Sequence, residues 1–451
     1  MTGKKSASHA NASNRGPNHG LSPMACPRHA GEVDLFSEGA QEHWYEAYPL
    51  LHETTPVVRL EGEGASPEAD GFILTKHEDI ARVVKDPTRF PPRVHQAILQ
   101  IEQAQNSGKT LPGINAMLAS MVTLRPNHDL YRSHRQELTD HWVGPGASRH
   151  TELIQDCANR LIDQFIDQPK IDFVQQFARP LPQMVMANML GFPETDIPQL
   201  AEWGNAQVAA FVYGKGHRNL LSRAESDAQF EKLEAFKEYV QTHVAEKRAH
   251  PQDDMISWLT QVHYEALDRQ LTDLEVNGVV YAMIIGGLET TQYALEQAAQ
   301  LICDRPGLWQ TLKSQPTLIR NFVEEAMRMR SPTQGLSTRF TSQDEVFQGV
   351  TVPKGSLLHL RFAAGNVDPD EWDCPFELNL QRKALTRHLV FSAGPRVCPG
   401  AGISRLEQNL AWSTLLARLP GIRYAPDNTF EHQPGIMLGT LALHLDTTGA
   451  D

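Results

Sequence analysis

A single cysteine stands between glycines in the stretch Phe391-Ser-Ala-Gly394-Pro-Arg396-Val-Cys398-Pro-Gly400. No second cysteine lies near it in the spacing of a zinc site. A lone thiolate so placed suits the task of sole protein ligand to a haem iron. The glycines let the backbone turn tightly and bring N–H groups close to the sulfur, where they stabilise negative charge. Phe391 would shield the sulfur from water, and Arg396 would offer a fixed cation to a haem propionate. The plain alternative is a structural cysteine in a glycine-rich turn.

Three further segments carry candidate chemistry. In Ala282-Met-Ile-Ile-Gly286-Gly287-Leu-Glu289-Thr290-Thr291, two glycines, an acid and two hydroxyls interrupt an apolar helical run. Each glycine costs about 1 kcal/mol against alanine inside a helix, so the run implies a helix opened locally for something to lie against its backbone. A packing notch for a neighbouring helix would read the same way. In Val323-Glu324-Glu325-Ala-Met-Arg328, Glu325 and Arg328 stand at i,i+3 on one helical face and can pair. In Arg125-Pro126-Asn-His128-Asp-Leu-Tyr-Arg132, the proline suits a helix start, and His128 and Arg132 share a face at i,i+4.

In this order and spacing the four segments resemble the cytochrome P-450 family of haem-thiolate monooxygenases, soluble bacterial type, and the resemblance covers about residues 25–451. It implies a mainly α fold with small β-sheets, one large helical domain holding haem b between a long central helix and the cysteine loop. Cys398 is then the axial thiolate and only metal ligand, in a loop that includes Phe391 and Gly400. O2 fits the gap at Gly286–Gly287, Thr290 meets it with a hydroxyl, and Glu289 helps bring in protons. His128, Arg132, Arg339 and Arg396 fall to the propionates, and His388 either touches a propionate or packs. Glu325, Arg328 and Arg382 form a buried structural network behind the haem. Pro399 departs from many members and stiffens the turn.

The implied reaction inserts one oxygen atom of O2 into a C–H bond, as hydroxylation or oxidative dealkylation. Two electrons come from NAD(P)H. The sequence carries no flavin or ferredoxin module after the cysteine helix, so a separate ferredoxin and reductase are expected. They would dock on the cysteine side, where His134, Arg135, Arg387 and Arg405 could form a basic patch. A peroxide-driven peroxygenase and a non-catalytic haem-binding sensor are the alternatives; the Glu289–Thr290 pair argues against the first, and intact Cys398, Thr290 and Glu289 against the second. By family position the substrate pocket draws on Ala97–Val122 and the helices near 208–220. Leu118, Met121, Phe211, Met283, Leu336, Ile436 and Met437 are candidate lining residues, an apolar set that suits a hydrophobic small molecule.

The elements that must position these groups are mostly helical. Helical periodicity runs from about Pro126 to Gln300, and a long amphipathic helix spans Ala401–Leu419. β-leaning text at Val57–Thr75 reads as a hairpin, a second such region spans Thr338–Leu360, and a short strand is expected at Leu441–Leu445. The 451 residues carry a formal charge of -13, which argues against a nucleic-acid binder. Five scattered cysteines fit a reducing cytoplasm. Residues 1–24 form a polar tail expected to be disordered, and residues 25–451 the catalytic domain, expected to be a monomer. No apolar run is long enough to span a bilayer.

Overall fold

The computed structural model describes residues 26–449, apart from 38, 93–112, 126, 213, 216–217, 336–337 and 434. The expected tail, residues 97–112 of the expected pocket segment, and Leu336 lie outside these residues, as does the side chain of Phe211.

The central helix Asp273–Gly287 begins where Thr272 and Glu275 close a reciprocal cap, each side chain bonding the other's backbone N–H. Its residues Glu275–Tyr281 are all buried, so it runs through the molecule with protein on every side. Helical order lapses at Leu288 and Glu289 and resumes over Thr290–Cys303. At the lapse the Leu288 N–H is stretched to 3.4 Å from the Ile284 carbonyl. The Gly286 carbonyl takes the Thr290 hydroxyl instead, at 2.8 Å. The opened helix expected from the glycines is therefore present.

Around this axis the main core joins the helices Thr151–Asp163, Pro180–Leu190, Arg223–Ala249, Ile319–Met329 and Ala401–Arg418. The expected N-terminal hairpin, Val57–Leu60 with Gly71–Leu74, is antiparallel and joins a larger sheet. Leu357–Leu360 adds parallel to Gly71–Leu74, and Thr338–Phe340 closes the far edge. This sheet covers a second apolar cluster that includes Phe72, Leu74, Ile80, Phe90 and Leu358. The last strand is His444–Asp446, slightly later than its expected place. Among the described residues, no helix is long and apolar enough to cross a membrane.

Candidate active site

The cysteine loop is a short helical turn, Gly394–Arg396, followed by Cys398 and the helix Ala401–Arg418. Gly394 has φ +71°, and a Cβ there would come within 2.9 Å of the Lys85 Cα, so both the turn and its seat on the helix His77–Lys85 require glycine. The Cys398 N–H donates to the Phe391 carbonyl at 2.8 Å, which folds the loop back on itself. Burial pushes the Cys398 thiol up, while the Gly400 N–H, the guanidinium groups of Arg135 and Arg405, and the Ala401 N–H pull the other way. That donor set is suited to a thiolate once a metal replaces the proton. Arg405 also lies 4.4 Å over the Phe391 ring and holds it beside the sulfur.

Two cavities, of about 280 and 270 Å³, meet at this cysteine. Cys398, Phe391 and Ser404 line both from below, and Ile285, Gly286 and Thr290 line both from the opened helix. The two glycines divide the readings offered above. A Cβ on Gly286 would meet nothing within 4 Å, so this position faces open space, whereas one on Gly287 would strike the Met186 Cε at 2.0 Å. Gly286 is the opening and Gly287 is also a packing notch. Glu289 is buried but does not line either cavity; the Tyr293 hydroxyl meets its Oε2 at 3.0 Å. Burial raises its carboxyl, against the pull of Tyr293 and Arg179.

Cations converge on one end of the slot. Arg125 lines one cavity and Arg396 the other, while Arg339 is buried close to Arg396. Arg396 also stacks 4.4 Å over the Tyr131 ring. Among the described residues no carboxylate pairs with any of the three. Desolvation lowers all three, Arg339 to about 10, and Arg396 adds repulsion to Arg125 and Arg339. One buried and two half-buried cations without a counter-ion are costly in a protein that holds nothing between them. A flat dianion such as haem, with two carboxylates on one edge, fits both the slot and its charge.

His128 and Arg132 are not among the residues that line the two cavities. Both are exposed at the start of the helix His128–His134, and Arg132 lies 3.9 Å from Asp129 on the same surface. The inward face is three residues further on, at Tyr131, His134 and Arg135, and these line the cavity. Sequence reasoning missed Arg125, Tyr131 and Arg135 in that role. The available signal was the i,i+4 pair Tyr131 and Arg135, which repeats the expected spacing three residues along.

The expected buried network is assembled. Glu325 receives Arg328 at 2.8 and 2.9 Å and Arg382 at 2.9 Å, and Arg328 also donates to the Asn366 carbonyl. His388 meets Glu324 at 2.9 Å, a carboxylate it shares with Arg405. The expected docking patch is not a free basic surface. His134 is buried and burial lowers it to about 3, so it is neutral. Arg135 binds the Val397 carbonyl and Asp140, Arg387 pairs with Glu371, and Arg405 pairs with Glu324. Of the pocket candidates, Met283 and Met437 line the cavities, and Ile436 packs with Met437, Val208 and Tyr293. Leu118 and Met121 instead pack on the main core.

The family model for cytochrome P-450 matches residues 92–438, more than half of the chain, and the chain belongs to that family. The polyketide biosynthesis cytochrome P-450 PksS of Bacillus subtilis (strain 168) is 28% identical over 402 residues, covering 87% of this chain and 94% of that protein. The biotin biosynthesis cytochrome P-450 of the same organism is 27% identical over 390 residues, covering 86% and 92%. A cytochrome P-450 solved in complex with acyl carrier protein bearing hexadec-9Z-enoic acid superposes with a TM-score of 0.76 at 25% identity, over 90% of this chain and 99% of that one. The fold is that of the family, and its members are monooxygenase oxidoreductases carrying haem on a cysteine thiolate.

Proposed function

We propose that the protein is a haem-thiolate monooxygenase acting on a hydrophobic small molecule, by hydroxylation or oxidative dealkylation of a C–H bond. Electrons come from NAD(P)H through a separate ferredoxin and its reductase. The observation that carries this reading is the slot itself: two cavities meet at the Cys398 sulfur beneath an opened helix turn, with three unpaired cations at one end.

Cys398 would hold the iron, and Arg125, Arg339 and Arg396 the propionates, with His128 and Arg132 left on the surface. When bound, the haem supplies activation of O2, favoured by electron donation from an axial thiolate. The chain supplies the rest. Phe391, held by Arg405, keeps water from the sulfur. The Thr290 hydroxyl, anchored on the Gly286 carbonyl, keeps its oxygen facing the open space at Gly286. Its lone pairs can accept a hydrogen bond from a group in the cavity while its own proton is donated to the Gly286 carbonyl. Glu289, buried and raised, is the proton reservoir one residue away. The space above is bounded by Val208, Ile285, Ala294 and Met437, which favours an apolar substrate. The names of the relatives, one in polyketide biosynthesis and one solved with a fatty acyl chain, support the same class.

The test is Thr290→Ala in the haem-loaded protein with a surrogate ferredoxin and reductase. Peroxide released per NAD(P)H consumed should rise several-fold with haem content unchanged. Equal coupling in variant and parent would remove Thr290 from proton delivery.

A further inference from the structure

The Tyr293 hydroxyl has one proton and two neighbours able to accept it. Its Oη lies 3.0 Å from Glu289 Oε2 and 3.0 Å from Gln433 Oε1. The ring is 2% exposed, packs with Val208, Ile436 and Met437, and is clamped by Gly439, where a Cβ would come within 2.3 Å of it. The helix that carries Tyr293 grips the same C-terminal loop one turn later. Glu296 Oε2 accepts the Thr440 N–H at 2.8 Å and its hydroxyl at 3.0 Å, and Gln297 Nε2 donates to the Leu438 carbonyl at 3.2 Å. This loop puts Met437 against the cavity above Cys398. Tyr293 thus touches both the buried acid and the loop that faces the substrate space.

One proton cannot serve two acceptors at once. With Glu289 protonated, the carboxyl donates to Tyr293 and Tyr293 donates to Gln433 Oε1. With Glu289 ionised, Tyr293 turns its proton to the carboxylate, and the Gln433 amide must turn over to offer Nε2–H. We propose that Tyr293 is a positioning residue that ties the proton on Glu289 to the seating of the loop Gln433–Thr440, so that an occupant lodged beside Met437 influences when the acid lets its proton go. The consequence for turnover rests on the monooxygenase reading; the linkage itself does not. The other charges facing this group are Arg179, which favours the ionised acid, and Glu296 next to Tyr293, itself raised to about 7 by burial.

The experiment is an infrared pH titration of the Glu289 carboxylic-acid C=O band in the purified full-length protein, assigned by its loss in Glu289→Gln. Tyr293→Phe removes a charge-assisted donor and should raise the proton affinity of Glu289 about tenfold. Gln433→Leu removes the acceptor that the protonated arrangement needs, and should lower that affinity several-fold. Gln297→Leu loosens the same loop without touching the acid, and should move the titration in the direction of Gln433→Leu but by less. An unshifted titration in Tyr293→Phe, shifts of one sign in the first two variants, or an unshifted titration in Gln297→Leu would overturn the proposal. The titration requires no turnover, so a failure of the monooxygenase reading would show separately, as absent thiolate-haem absorption.

Discussion

Two groups of buried charge flank the cysteine loop, and they differ in whether the chain neutralises them. Behind it, Glu325 is shared by Arg328 and Arg382, and Glu324 by His388 and Arg405, so every carboxylate has its donors. At the other side Arg125, Arg339 and Arg396 approach one another without a carboxylate among the described residues. A network that closes on itself holds a fold, whereas one that remains open is shaped for a partner of opposite charge. The comparison separates the framework from the site without reference to sequence motifs.

The contrast breaks most visibly at its closed half. Glu325→Ala leaves Arg328, fully buried, and Arg382 without their anion. A loss of about 3–5 kcal/mol is expected, read as a large fall in thermal midpoint and in soluble yield. The open half should respond with the opposite sign in the haem-free protein. Arg339→Leu or Arg396→Leu removes an unpaired cation, so thermal stability without haem should hold or rise, while haem affinity falls about tenfold per variant. If either variant destabilises the haem-free protein as Glu325→Ala does, the cluster is framework too.

A third region sharpens the contrast through pH. Glu407 is buried beside the cavity with Oε2 unpartnered, and burial pushes it up to about 8 from 4.5. The unfolded chain ionises above about 4.5, so the stability that the protonated acid permits is complete below that pH and is lost as pH rises towards about 8. Denaturation midpoints at several pH values should show this slope, and Glu407→Gln should flatten it. The smallest effects belong to the surface pair. His128→Ala and Arg132→Ala should each change stability by under about 0.5 kcal/mol and leave haem affinity unchanged. A tenfold loss of affinity in either would return these residues to the propionates.

Much of this arrangement was legible in the sequence, for reasons that vary by element. The cysteine loop and the Gly286–Thr290 break announce themselves because glycine, acid and hydroxyl are poor choices for a buried helix or turn without a task. The hairpin at Val57–Leu74 was legible from turn residues, but its parallel partner Leu357–Leu360 comes from nearly 300 residues away and leaves no local trace. Which face of the helix at His128 turns inward was not legible because helical faces recur at three and four residues; only packing reveals that Tyr131 and Arg135 line the cavity. The basic patch failed for a related reason. A sequence shows Arg387 and Arg405 but not Glu371 and Glu324, which fold back on them from distant segments. Leu118, Met121 and Met437 are alike in chemistry, so whether they face core or cavity depends on the assembled fold.

The most direct test of the central claim is the absorption difference spectrum of the dithionite-reduced protein with and without carbon monoxide, for the parent and for Cys398→Ala. The account predicts a Soret band at about 450 nm in the parent, the mark of thiolate-ligated haem, and its loss in the variant. Absence of that band from parent protein supplied with haem, or its persistence in Cys398→Ala, would contradict it.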